Sequence, residues 1–199
     1  MIFDKVVIFR TIICMTNNLP IYDVVAGDMN CISLVERPAI QMDFLLFSQE
    51  QELRFSMDED KHIAFGPAMI ADMPILRNAP DGSQYYIVFS AEAIHKLVQS
   101  FMSNDKRTFS EEHDGKPLEG ITIVESFFKS DDLSPKGFES VANGSWFVSL
   151  HIDNDKVWQD LRDGTRRGFS IECRVDTVER PQALQMSEDD WIDAVINNL

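Results

Sequence analysis

The chain has 199 residues, of which 44% are hydrophobic and 14 are Phe, and this is enough to build the core of one domain of ordinary size. Its 18 Lys and Arg residues face 33 Asp and Glu residues, and the net charge of −15 argues against a nucleic-acid partner, which requires a basic surface. Three cysteines without paired spacing and only four histidines exclude a disulfide framework and a zinc cluster, and they favour a reducing, intracellular setting.

Residues 1–19 are predicted to be an extension that precedes the folded domain. The apolar run 5–15 is interrupted by Arg10 and has about half of the roughly 20 residues that a transmembrane helix needs. No small-residue cleavage site follows it, so the sequence predicts neither a signal peptide nor a membrane partner. The polar sequence that begins at Met15 leaves open whether translation starts there or at Met1.

Residues 20–180 are predicted to form a β-rich domain, because short β-branched and aromatic runs alternate there with Gly, Pro, Asn and Asp. The predicted strands are 21–25, 31–36, 43–48, 52–57, 62–70, 84–89, 120–128, 145–152 and 168–177. A helix over 91–102 is capped by Ser90, and a shorter helix over 156–162 is capped by Asn154 or Asp155. We therefore expect an α+β fold, with a mostly antiparallel β-barrel or strongly curved sheet and flanking helices.

Residues 181–199 are predicted to be a C-terminal amphipathic helix or tail. The sequence Ser187-Glu188-Asp189-Asp190 resembles a capping box, and an apolar stripe follows it from Trp191 to Leu199. Such a helix can dock on the domain or on another chain.

Residues 166–175 predict a strand that carries a hydroxyl group. Alternation places Ser170 and Glu172 on one face, and Phe169 and Ile171 on the other. A serine on a rigid strand is a candidate nucleophile, and Gly168 allows another backbone to come close to it. On this pattern alone, a solvent-facing serine of an amphipathic strand remains the alternative.

An acidic turn presents His113, the candidate general base. The flanking Glu111, Glu112 and Asp114 could orient its ring, although a surface histidine in a charged turn is the simpler alternative. Arg166 and Arg167 could stabilise a developing negative charge near Ser170, and a solvated turn is the alternative for them. Glu172 could support the histidine, or it could form a salt bridge with Arg174 or a cross-strand lysine.

Three segments in this order resemble the phage serine proteases of the XkdF type, which are relatives of prohead maturation proteases and of herpesvirus assemblin. They are Glu112-His113-Asp114-Gly115, Gly144-Ser145-Trp146-Phe147 and Gly168-Phe169-Ser170-Ile171-Glu172. Residues 32–39, 65–70, 86–92, 116–120 and 157–158 fit the same resemblance, which spans roughly residues 20–176.

One departure from prohead proteases concerns the order of segments. In many of them a Ser-Leu-Val…Pro-Ala segment lies after the nucleophile, whereas the similar segment of this chain is at residues 33–39, with neutral residues around Cys31 in the place of an acid. The strands therefore look circularly rearranged, and the third member of a triad is unassigned. Glu172 is the first choice, followed by Asp28 and Glu125.

The resemblance implies an assemblin-like fold and a serine endopeptidase of a phage or prophage, without a cofactor or metal. Ser170 would be the nucleophile, His113 the base, and backbone amides near Gly168, with Arg166 or Arg167, the oxyanion site. The implied substrates and partners are phage scaffold and major capsid proteins, with possible self-association, in proheads that assemble in the host cytoplasm. The alternative is a catalytically inactive prohead core or structural protein of the same fold.

Overall fold

A computed structural model describes residues 19–36, 56–58, 61–103 and 108–181. Within these ranges the chain forms two sheets and two helices. The strands are β1 (Ile21–Val35), β2 (Ser56–Asp58), β3 (Ile63–Met69), β4 (Ile75–Asn78), β5 (Gln84–Val88), β6 (Thr108–Glu111), β7 (Ile121–Phe128), β8 (Trp146–Ile152) and β9 (Gly168–Glu179). The helices are α1 (Ala91–Ser103) and α2 (Asp155–Arg162).

The long strand β1 organises the first sheet. β9 pairs with it antiparallel along almost its whole length, while β5 and β6 pair parallel with its first and last residues. A strand has only two edges, so β5 and β6 share the edge of β1 that is opposite β9. β4 extends this sheet as the antiparallel neighbour of β5.

The sequence predicted two short strands, 21–25 and 31–36, where the structure has the single strand β1, so the predicted break is wrong. Two register shifts interrupt the β1–β9 ladder, one between Val24 and Ala26 and one between Met29 and Cys31. Val25 and Asn30 are left unpaired at these two points, while Gly27 and Asp28 between them remain paired with β9, so the strand continues. Gly27 is required there, because a Cβ atom at this position would lie 2.4 Å from the carbonyl oxygen of Arg174.

The second sheet is antiparallel, in the order β2-β3-β8-β7. Both sheets and both helices contribute to one hydrophobic core, in which Ile32, Phe101, Trp146 and Leu150 are fully buried. α1 begins after Ser90, whose hydroxyl accepts the Ala93 amide at 3.2 Å, as predicted. α2 is capped by the side chain of Asn154, which settles the alternative of Asn154 or Asp155.

The strand-rich α+β prediction is confirmed, but the described strands form two sheets and no closed barrel. A curved, mostly antiparallel arrangement is compatible with the structure. The sequence missed β4, β6 and the parallel pairings of β1. The predicted strand 43–48, residues 1–18 of the predicted extension and the helix from Ser187 lie outside the described residues, and only residues 56 and 57 of the predicted strand 52–57 are described. Among the described helices, none combines the length and apolar character needed to cross a membrane.

Candidate active site

The candidate site lies on the face of the first sheet opposite the shared core. Ile32, Leu34 and Phe169 point to the core and are almost completely buried. Neighbouring residues of a strand point to opposite faces, so Ser33 and Ser170 share the other face, where they are directly paired. Ser33 is also paired with Ser110 of β6, and three hydroxyls therefore lie in one row across three strands.

Ser170 is buried, with 7% of its surface exposed. It is the third residue of β9, and the ladder with β1 fixes its backbone on one side. Ser170 is therefore not the solvent-facing serine that the sequence pattern allowed. A buried hydroxyl requires a hydrogen-bond partner, because leaving it unpaired costs about 1–3 kcal/mol.

That partner is His113, which is carried by a tight turn after β6. Glu112 and His113 both have left-handed backbones, with φ of 47° and 57°, and the Asp114 amide donates to the Glu111 carbonyl at 2.9 Å. This is the pattern of a type I′ turn, which favours Asn and Gly at its two central positions. Each of these residues is therefore strained by roughly 1–2 kcal/mol, and the strain persists because the surroundings hold the turn.

Two hydrogen bonds fasten this turn to the end of β1. The Glu112 amide donates to the Leu34 carbonyl at 3.2 Å, and the Glu36 amide donates to Glu112 Oε1 at 2.6 Å. The turn thus continues the β1–β6 pairing beyond Glu111. This attachment places the imidazole over the row of hydroxyls.

The imidazole bridges Ser170 and Glu172. Its Nε2 lies 2.9 Å from Ser170 Oγ, and its Nδ1 lies 3.1 Å from Glu172 Oε1. The carboxylate accepts a hydrogen bond from Nδ1–H, so the tautomer with a free Nε2 lone pair toward the serine is favoured. A hydroxyl, an imidazole and a carboxylate in this order form the arrangement that activates a serine in serine hydrolases.

The electrostatics of the site favour an ionised Glu172. Burial raises the pKa of this carboxyl, but hydrogen bonds from Ser33, Ser110 and His113, together with the charge of His113, outweigh burial and leave the pKa below its ordinary value. The carboxylate is therefore a negative charge beside Nδ1 at neutral pH. It is suited to stabilise the imidazolium that forms when the ring takes a proton.

The expectation that the flanking acids orient the His113 ring is wrong, because these acids contact other groups. Glu112 lies 3.1 Å and Glu111 3.6 Å from the guanidinium of Arg166, whereas Asp114 lies 3.7 Å from Lys116 Nζ. The acid that contacts the ring comes from β9 and is 59 residues away in sequence.

The predicted oxyanion residues lie at the start of β9 and directly before it. Gly168 is the first residue of β9 and is opposite Val35. The Arg167 amide donates to the Val35 carbonyl at 2.8 Å and its Nε to the Gly164 carbonyl at 2.9 Å. The Arg166 amide donates to the Asp160 carbonyl at 3.1 Å, and the Arg166 guanidinium faces Glu111 and Glu112. The backbone amides of both arginines are thus engaged, and their role toward an oxyanion stays a prediction.

The other two candidates for the acid have partners elsewhere. Asp28 accepts a hydrogen bond from Ser100 of α1 at 3.0 Å, and Glu125 accepts one from Ser149 in the second sheet. Of the three candidates, the structure brings Glu172 to His113.

Ser33 and Ser110, which touch both the acid and each other, were not predicted as site residues. The available signal was weak: Ser33 is one hydroxyl within an apolar run, and Ser110 comes three residues before His113. Their meeting depends on the parallel pairing of β1 with β6, which the sequence did not reveal.

Comparison with known proteins identifies the family of this chain. A family model described as "Putative phage serine protease XkdF" matches residues 53–179, well over half of the chain. The chain belongs to this family. The matched stretch includes Ser110, His113, Ser170 and Glu172, whereas Ser33 and the whole of β1 precede it.

Among curated proteins, the chain is 22% identical over 169 residues to "Uncharacterized protein YqbD" of Bacillus subtilis (strain 168). The match covers 80% of this chain and 48% of the relative, so the chain spans about half the length of that protein. No solved structure matches the chain significantly.

Proposed function

We propose that this chain is a serine endopeptidase of a phage or prophage, with Ser170 as nucleophile, His113 as general base and Glu172 as the supporting acid. The observation that carries the proposal is the continuous contact from Ser170 Oγ through both ring nitrogens of His113 to Glu172 Oε1. Membership of a family of phage serine proteases supports the same reaction class.

In the first step, Ser170 Oγ attacks the scissile carbonyl carbon while its proton moves to His113 Nε2. The new C–O bond converts the carbonyl into an oxyanion, and Glu172 stabilises the imidazolium through Nδ1–H. His113 then donates the proton to the leaving amine, the C–N bond breaks, and an acyl-serine remains. Water then attacks the acyl carbon while its proton moves to His113 Nε2. His113 returns this proton to Ser170 Oγ as the C–O bond to the serine breaks, which releases the product carboxyl group and restores the hydroxyl.

The oxyanion would be stabilised at the start of β9, by backbone amides near Gly168 with help from Arg166 or Arg167. Gly168 has no side chain to obstruct a substrate carbonyl, which supports this position. Because the backbone amides of Arg166 and Arg167 already donate to the Asp160 and Val35 carbonyls, help from these two residues would have to come from their guanidinium groups.

The proposed biological reaction is the processing of scaffold and major capsid proteins during prohead maturation, inside proheads that assemble in the host cytoplasm. The fold would then be a rearranged relative of the assemblin architecture, and the chain could self-associate. Support comes from the phage origin stated in the family description, together with an acidic chain that lacks the footprint of a nucleic-acid binder.

The experiment is co-expression of the chain with the scaffold and major capsid proteins of the same phage or prophage. Wild type and Ser149→Ala are expected to cleave at least one of these proteins, and Ser170→Ala is expected to leave all of them intact. Ser149 is a suitable control because it is also a buried strand serine that donates to a glutamate, but it belongs to the second sheet. Processing by Ser170→Ala would contradict the nucleophile, and intact substrates with wild type would favour an inactive prohead protein.

A further inference from the structure

Two buried serines contact the proposed acid without taking part in the three-residue mechanism. Ser33 is 0% and Ser110 is 2% exposed, and their hydroxyls are each 2.9 Å from Glu172 Oε1. They lie 2.7 Å from each other, and Ser33 Oγ is also 3.0 Å from His113 Nδ1. One carboxylate oxygen is thus surrounded by two hydroxyls and one imidazole N–H.

The pattern of donors indicates which way these hydrogen bonds run. An ionised carboxylate only accepts, and a hydroxyl carries one proton and two lone pairs. The thiol of Cys31 donates to Ser110 Oγ at 3.3 Å, so Ser110 accepts a hydrogen bond of its own. The protons of Ser33 and Ser110 serve Glu172 Oε1 and the contact that joins the two hydroxyls. A protonated Glu172 would have to donate into this set of donors, and the cluster is therefore built for the anion.

We infer that Ser33 and Ser110 are positioning residues that hold the Glu172 carboxylate in place beneath Nδ1 of His113. This inference rests on the proposed function. Both hydroxyls contact Glu172, and that of Ser33 also contacts Nδ1 of His113. The row of paired positions across β6, β1 and β9 supplies the rigidity, because strand positions fix the direction of each side chain.

A purely structural role would also keep these serines buried and hydrogen-bonded, so the test must separate stability from activation. A fluorophosphonate probe does this without a known substrate: Ser170 Oγ bonds to phosphorus, fluoride leaves, and the serine proton passes to His113. Its maximal rate of modification reports activation of the serine, whereas its half-saturating concentration reports binding of the probe.

The experiment compares wild type, Ser33→Ala, Ser110→Ala and the control Ser149→Ala. We expect each of the first two substitutions to lower the maximal rate of Ser170 modification roughly tenfold, with little change in half-saturation, because each removes a hydrogen bond to a charged group. Ser149→Ala is expected to keep the wild-type rate even where it lowers the thermal midpoint. Wild-type rates in both Ser33→Ala and Ser110→Ala would overturn the inference.

A second measurement follows the carboxyl of Glu172 directly, by NMR of protein with carbon-13 in its glutamate side chains, assigned with Glu172→Gln. The Glu172 carboxyl of Ser110→Ala is expected to titrate at higher pH than that of wild type, because a donor to the anion is lost. Ser110 is used because its hydroxyl contacts Glu172, whereas the hydroxyl of Ser33 also contacts Nδ1 of His113. An unchanged titration would overturn the inference. Absence of Ser170 modification in wild type would instead refute the proposed function, and the titration would still test whether Ser110 stabilises the Glu172 carboxylate.

Discussion

At the scale of single residues, the geometry of His113 combines strain with a chemical role. Its φ of 57° is unfavourable for most side chains, and the turn has neither Asn nor Gly at its two central positions. Strain of this kind persists where the surrounding contacts hold it, as the hydrogen bonds between the turn and the end of β1 do here.

Substitution of His113 should separate these two contributions. Asn tolerates the left-handed conformation, and the strain that it relieves offsets part of the hydrogen bonding that Ser170 loses. We therefore expect the free energy of unfolding of His113→Asn, measured by urea denaturation, to lie within about 2 kcal/mol of wild type. His113→Val should be less stable than His113→Asn by about 1–2 kcal/mol, since a β-branched side chain is disfavoured at positive φ. Equal stability of the two variants would contradict the proposed strain at this turn.

Glu172 should couple stability to pH. Its pKa in the folded chain lies below the ordinary value of 4.5, so the folded state binds its proton less readily than the unfolded state. The resulting stabilisation is present above pH 4.5 and is lost as the pH falls through the lower folded pKa. We expect the difference in urea midpoint between wild type and Glu172→Gln to shrink on acidification through this window. A difference that is independent of pH would contradict the account.

At the scale of elements, one ion-pair cluster joins the turn that carries His113 to the turn that precedes Ser170. Arg166, with a side chain 15% exposed, lies between Glu111 and Glu112 and so connects the end of β6 with the start of β9. Partly buried charges of this kind are costly to leave unpaired.

Removal of this guanidinium should therefore loosen the histidine turn. We expect Arg166→Ala to lower the free energy of unfolding by about 1–3 kcal/mol and to slow fluorophosphonate modification of Ser170, with Arg166→Lys in between. Arg174→Ala is the matched control, since Arg174 is an exposed arginine on β9. Full stability and full reactivity of Arg166→Ala would show that the cluster does not hold the turn.

The β1–β9 ladder gives a second prediction at this scale. Gly27→Ala would bring a Cβ atom to 2.4 Å from the Arg174 carbonyl oxygen, so the ladder must shift near its irregular region. We expect a loss of about 1–3 kcal/mol in unfolding free energy, the usual cost of overpacking. Ala26→Ser, a change at the exposed neighbouring position, should be nearly neutral. A neutral Gly27→Ala would contradict the close approach of the two strands.

At the scale of the whole molecule, the sequence revealed local patterns better than long-range pairings. Both helices were predictable because their apolar spacing and caps are local, as Ser90 and Asn154 illustrate. The strand carrying Ser170 was visible from alternation, and the turn carrying His113 from its acidic residues. The contact between them depends on how β6, β1 and β9 pair, which no local pattern specifies.

The same limit explains the errors. β1 was predicted as two strands because Gly and Asn commonly mark the end of a strand. The irregular β1–β9 ladder accommodates both residues within one strand. The short strands β4 and β6 have only four residues each, too few for a clear alternation. The flanking acids were assigned to His113 because they are its sequence neighbours, although Arg166 is their partner in space.

The central claim is that His113 activates Ser170, and the most direct measurement is mass-spectrometric mapping of a fluorophosphonate adduct. Wild type is expected to carry the phosphonyl group on Ser170, and the folded His113→Asn variant is expected to lose this modification by a factor of roughly 10³ or more. An adduct on another residue of wild type, or unchanged modification of Ser170 in folded His113→Asn, would contradict the account.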